Sequence, residues 1–151
     1  MQFCYGKKAI DLGCGCGYGT YILSWWARRV VGVDIDPETA LWAAQHFKSE
    51  NLEYISFDIT TRWLSGEVYV AFEVLEHLDN PEDVLRQAVG SPLVWSIPVA
   101  DKSIFHTRRY SVQDIEKLMG RGGWFQSADG AIVPREQAWF DPRYVLGVRH
   151  V

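Results

Sequence analysis

The stretch AIDLGCGCGYG places Gly13, Gly15, Gly17 and Gly19 at alternating positions behind an acid, Asp11. Such alternation suits neither a strand nor a helix; its use is to let a ligand come close to the main chain. Cys14 and Cys16 raise a second option, a metal or redox pair. Their spacing is not C-x-x-C and no second pair exists, so they read as small loop fillers, with Cys4 incidental. A second equipped stretch is FEVLEH, Phe72 to His77. One helical turn there puts Glu73, Glu76 and His77, spaced i, i+3, i+4, on one side. With the later His106 they offer two chemistries. His77, helped by Glu76, is a general base; or Glu73, Glu76, His77 and His106 together hold a divalent cation. The plain alternative is a His77 bonded only to backbone or a neighbouring carboxylate. HTRRYS, His106 to Ser111, adds Arg108, Arg109 and Tyr110, which either touch a substrate or form a solvated basic loop.

These residues need a frame. Ala9 to Leu12 reads as a strand ahead of the glycine loop, and Tyr18 to Ala27 as a helix with Arg28 and Arg29 at its cation-favouring end. VVGVD, Val30 to Asp34, is a buried strand. Asp36 caps the next helix with Pro37 first, and Ala40, Leu41, Ala44 and Phe47 give it an apolar face. Leu52 to Phe57, Val68 to Val74 and Leu93 to Pro98 are further strands. Asn80 with Asp83, and Ser111 with Asp114, form capping boxes. The first opens a helix buried through Leu85, Ala88 and Val89. The second opens one buried through Ile115, Leu118 and Met119, ended by Gly120 or Gly122. Strands follow around Trp124 to Val133 and Tyr144 to Val151.

Alternating strands and helices predict an α/β, Rossmann-like, doubly wound sheet. It is seven-stranded and mostly parallel, with helices on both faces and an antiparallel last hairpin. Ligands bind beyond the C-terminal strand ends where the strand order reverses, and the glycine loop lies there. The chain has 151 residues, 48% hydrophobic and 23% charged, as expected of one soluble domain. A net charge of −4 does not favour nucleic acid as a partner. No apolar run is long enough to span a bilayer, the N-terminus has no apolar leader segment, and three cysteines make no disulfide framework. These features predict a cytoplasmic protein. The dinucleotide pattern G-x-G-x-x-G fails, because its third glycine falls on Tyr18 or Thr20. That disfavours a nicotinamide-dependent oxidoreductase.

AIDLGCGCGYG resembles the first motif of class I S-adenosylmethionine (SAM)-dependent methyltransferases. VVGVDIDPETA resembles their second, FDI at Phe57 to Ile59 their third, and FEVLEHLDNPEDVL a segment of the ubiquinone-pathway and small-molecule subgroup. SIPVADKSIFHTRRYSVQDIEKL is similar to the segment after their fifth strand. The resemblance implies SAM as cofactor, S-adenosylhomocysteine as product and methylation of an oxygen. It places Asp11, Gly13, Cys14, Gly15, Gly17 and Tyr18 around the methionine and sugar. It puts Asp34 on the ribose and Ile35 and Ile59 on the faces of the adenine. Asp58 falls on the adenine amino group, with Phe72 and Glu73 near the methionine. It implies His106, Arg109 and Tyr110 at the acceptor. E-x-x-E-H with a later His also resembles the metal site of small-RNA 2′-O-methyltransferases, which makes metal-assisted RNA 2′-O-methylation a further alternative.

Relatives usually carry helices before the first strand that cover SAM; here only MQFCYGKK precedes it. The expectation is a single minimal SAM-binding domain over 1–151 without that lid. Its open site would take a small-molecule, glycan or other bulky acceptor or be covered by a second copy, with a non-catalytic SAM-binding subunit as the rival reading.

Overall fold

The computed structural model describes residues 2–101, 103–121, 123–137 and 142–150. Eight strands form one sheet: β1 (Lys8–Leu12), β2 (Arg29–Asp34), β3 (Leu52–Ser56), β4 (Val68–Phe72), β5 (Pro92–Pro98), β6 (Trp124–Gln126), β7 (Ile132–Pro134) and β8 (Tyr144–His150). Their order is β3-β2-β1-β4-β5-β8-β6-β7. The first five are parallel, while β8 runs antiparallel between β5 and β6. The order reverses between β1 and β4, where the expected crevice falls. The helices are α1 (Tyr18–Ser24), α2 (Pro37–His46), α3 (Pro81–Gln87) and α4 (Val112–Met119).

Side-chain alternation along the strands feeds two cores. Val30, Val68 and Val70 pack with Leu23 of α1 on one face. Val31, Leu12 and Trp95 pack with Val84, Leu85, Ile115 and Met119 of α3 and α4 on the other. Among the described residues no helix is long and apolar enough to cross a membrane.

The structure corrects several sequence expectations. There are eight strands rather than seven, because Trp124 to Val133 is a hairpin. Its turn is closed by Ser127 N–H to Ala131 O and Gly130 N–H to Ser127 O, and its Asp-Gly pair favours such a turn. α1 stops at Ser24. Trp25 and Trp26 donate three residues back, to Ile22 and Leu23, which tightens the chain into β2. Arg29 therefore opens β2 instead of closing the helix. Asn80 occupies the cap of α3 without a side-chain bond, its backbone carbonyl taking the Asp83 N–H, while the Asp83 carboxylate pairs with Arg86. Val84, not Val89, completes the buried face of α3. On α2 the buried residues are Ala40 and Ala43, while Leu41 is exposed. The Ser111–Asp114 capping box forms, and Gly120 ends α4; Gly122, the other stop considered, lies outside the described residues, as does Val151.

Candidate active site

The glycine loop is stitched to the end of β2. Cys14 N–H donates to Val33 O at 2.9 Å, and Gly15 N–H donates to Asp34 Oδ2 at 2.8 Å. Asp34 Oδ1 accepts from Asp36 N–H at 3.0 Å, and Asp36 caps α2 through Glu38 and Thr39 N–H. Gly17 opens α1 with φ +82; a Cβ there would stand 2.7 Å from both Ala43 Cβ and Tyr54 Cε1. Gly13 is equally tight against Val74, whereas a Cβ on Gly15 would meet nothing within 4 Å. Gly13 and Gly17 are thus held close by packing, while the Gly15 face is open. Cys14 is half-buried, its thiol pushed up to about 12 by burial, and all three cysteines are free.

Two cavities flank this loop. The larger, about 370 Å³, gathers Gly13, Asp34, Ile35, Asp58, Ile59 and Glu73, with His77 at one side. Val33, Phe57, Val74 and Leu78 also line it; sequence reasoning missed them, although each adjoins a singled-out residue at a strand end. Asp58 Oδ1 accepts from Thr60 N–H and Oγ1, closing the turn after β3. The smaller cavity, about 220 Å³, holds Asp11, Gly19 and Phe72 beside Phe3, Ile22 and Val94. Asp11 is buried and accepts from Thr20 Oγ1 at 2.7 Å, a partner the sequence reading did not name. Burial raises its pKa to about 6 against the opposing pull of that hydrogen bond. Tyr18 lines neither cavity; its ring stands edge-on to Phe47 with centroids 6.1 Å apart.

After β4 the backbone turns sharply at Glu73, φ 57. Glu73 Oε1 accepts from Ser96 Oγ at 2.9 Å, and burial raises its pKa. The turn Leu75–His77 is 3-10 rather than α, and Glu73 lies outside it. Glu76 points inward, fully buried, with neither carboxylate oxygen bonded among the described residues; burial pushes it up to about 7. His77 points outward, and its Nδ1 lies 3.0 Å from Phe105 O. A carbonyl only accepts, so Nδ1 carries a proton in this contact, which leaves Nε2 as the nitrogen that can act as a base. His106 stands edge-on to His77, ring centroids 4.8 Å apart. The ligand atoms of Glu76, His77 and His106 lie within 4.8 Å of one another, and Glu73 is outside that group. Arg108 N–H donates to Glu76 O at 3.0 Å, which fixes the following loop against this turn. Arg109 and Tyr110 face a different groove, between α3 and α4, so the three expected acceptor residues divide between two places.

A parallel sheet with a glycine loop and strand-end carboxylates at its switch point defines a nucleoside-type binding fold. A family model described as "Methyltransferase domain" matches residues 10–90, more than half of the 151. The chain belongs to this family, the class I SAM-dependent methyltransferases. A Mycolicibacterium smegmatis protein named "Probable S-adenosylmethionine-dependent methyltransferase" is 26% identical over 137 residues, covering 80% of this chain and 53% of that protein. A ubiquinone biosynthesis O-methyltransferase of Glaesserella parasuis is 29% identical over 92 residues, 54% of this chain and 39% of its own length. The chain spans about half the length of the curated relatives it matches. Among solved structures, magnesium protoporphyrin IX methyltransferase from Synechocystis, with bound S-adenosylhomocysteine, superposes with a TM-score of 0.69 at 16% identity. It matches over 97% of this chain and 75% of its own.

Proposed function

We propose that the chain binds SAM across the two cavities and transfers its methyl group to an oxygen of a small-molecule or glycan acceptor, releasing S-adenosylhomocysteine. The observation that carries the reading is the cavity that brings Gly13, Asp34, Asp58 and Glu73 together at the switch point, with the Asp34 carboxylate already holding the loop in place. Each Asp34 oxygen keeps acceptor capacity for a ribose hydroxyl. Ile35 and Ile59 offer apolar surface for an adenine, and Asp58 Oδ2 an acceptor for its amino group. The buried Asp11 carboxylate suits an ammonium in the smaller cavity. The residues therefore fit the donor, which when bound supplies a methyl group activated by a sulfonium. His77 Nε2, at the edge of the larger cavity, takes the acceptor's hydroxyl proton. Several relatives are named as ubiquinone biosynthesis O-methyltransferases, which supports oxygen over nitrogen.

Calorimetric titration with SAM, and with NAD as a control, tests the donor. Release of S-adenosylhomocysteine over a panel of glycans, phenols, short RNAs and peptides tests transfer. No SAM binding overturns the reading; binding without release from any acceptor leaves the non-catalytic rival.

The orphaned Glu76 carboxylate favours a second reading, a divalent cation held by Glu76, His77 and His106. Ligand atoms on one tetrahedral ion stand about 3.4 Å apart, so the three side chains, within 4.8 Å of one another, must close inward to hold it. Two imidazoles and a carboxylate suit Zn²⁺ or Mn²⁺ better than Mg²⁺. Titration heat with Mn²⁺ or Zn²⁺ that His106→Ala abolishes supports it; no heat overturns it.

A further inference from the structure

On the far side of the loop that carries Arg108 to Tyr110, an open groove of about 660 Å³ runs between α3 and α4. Arg86, Arg108, Arg109, Lys117 and Arg149 line it, five of the 15 Lys and Arg in a chain whose net charge is −4. Among the described residues two acids, Glu82 and Asp114, line it with them, and Arg86 is paired with Asp83. The carboxylate of Asp114 is committed to the Ser111 capping box.

Several of these cations are positioned without being neutralised. Arg149 Nη1 donates to the Leu118 carbonyl at 2.7 Å, and Arg108 donates to the Asp79 carbonyl. Carbonyls fix a guanidinium's direction but leave its charge and its other N–H groups available. Among the described residues Arg109 has no ion-pair partner, and Lys117 only a distant one, Asp114 at 4.0 Å. Tyr110 is buried against the groove beside Arg108. A guanidinium fork suits a phosphate oxygen.

The lining is also long. Arg109 precedes the first residue of α4, and Arg149 is bonded at its last turn. Eight residues of helix span about 12 Å, too far for one phosphate. At its upper end the groove meets the loop bonded to Glu76, beside His77 and His106. Arg108 thereby joins the groove to the turn that carries His77.

We propose that the α3–α4 groove binds a run of two or more phosphate groups carried by the methyl acceptor. The acceptor assignment rests on the methyl-transfer reading; the phosphate site does not. The shared chemistry is a chain of phosphates, supplied either by a phosphorylated small molecule or by a single-stranded polynucleotide.

The test titrates the whole chain, without donor, with tripolyphosphate, a single-stranded oligonucleotide and a poly-glutamate peptide, at low and physiological salt. Tripolyphosphate is expected to bind, more weakly as salt rises. An Arg109→Gln, Lys117→Gln double variant, checked for native circular dichroism, is expected to bind it about tenfold or more weakly while its SAM affinity is unchanged. Tighter binding of the oligonucleotide identifies the polynucleotide source, and tripolyphosphate alone the small-molecule source. The proposal is overturned if neither phosphate ligand binds, if the double variant binds as the parent does, or if poly-glutamate binds best. A chain that binds tripolyphosphate but not SAM sinks the donor reading and leaves the groove standing.

Discussion

Two carboxylates near the crevice differ because their surroundings do. Asp34 is half-exposed and accepts two main-chain N–H groups. Asp34→Ala should weaken SAM binding by roughly 1–3 kcal/mol, read by titration calorimetry; an unchanged affinity counts against the ribose contact. Asp11 is buried with one hydroxyl partner, and its pKa is raised from 3.8 to about 6. The donor-free fold therefore keeps the full contribution of this group below about pH 4. It loses it as pH rises through about 6, because the unfolded chain ionises first. The loss is on the order of 3 kcal/mol. Asp11→Asn should flatten that slope and raise stability at pH 8, measured by urea unfolding at several pH values. A slope unchanged by the substitution would assign the pH dependence elsewhere. At His77, the bond to Phe105 O sets which nitrogen is basic. His77→Gln should lower kcat about 10²–10⁴-fold with little change in SAM affinity; an equal loss in donor affinity would instead make it a binding residue.

At the scale of the elements, the loop between β1 and α1 is shaped by what packs on it. Tyr54 of β3 donates its hydroxyl to Gly17 O at 2.8 Å, while Ala43 of α2 closes from the side. Gly17→Ala adds a methyl group where no room exists, on a backbone in the left-handed region. It should cost roughly 1–3 kcal/mol, seen as a lowered Tm, and weaken SAM binding by displacing the loop. A variant as stable as the parent would mean that α2 and Tyr54 yield easily. The two helices opened by expected capping boxes make an instructive pair. Ser111 and Asp114 bond each other's backbone N–H reciprocally, whereas Asp83 three residues after Asn80 turns to Arg86. The motif alone does not decide which partner an acid takes; a cation one turn along competes with the cap.

For the molecule as a whole, β8 is the keystone of the far half of the sheet. It pairs with β5 over Pro92–Pro98 on one side and with β6 on the other. Without it β6 and β7 lose their attachment, and the edge of β5 is bared. Removal of residues from Pro142 onward should abolish cooperative thermal unfolding, followed by circular dichroism; a retained sharp transition would show that the first five strands fold alone. The parallel half was legible beforehand. β-branched runs, the Asp36-Pro37 start and the glycine loop each act within a few residues, and order along the chain sets the winding. The sequence by itself determined the donor crevice to that extent, because strand ends and the loop between them are local features. Only the tertiary structure decided that Glu76 turns into the core while His77 faces the cavity, since what packs against the turn sets which side is inside. It likewise split Asp11 and Phe72 from Asp34 and Asp58 into separate cavities, and drew Arg109 away from His106. Those outcomes depend on which elements pack against one another across the sheet, and contacts between residues far apart in sequence leave no trace in short-range spacing.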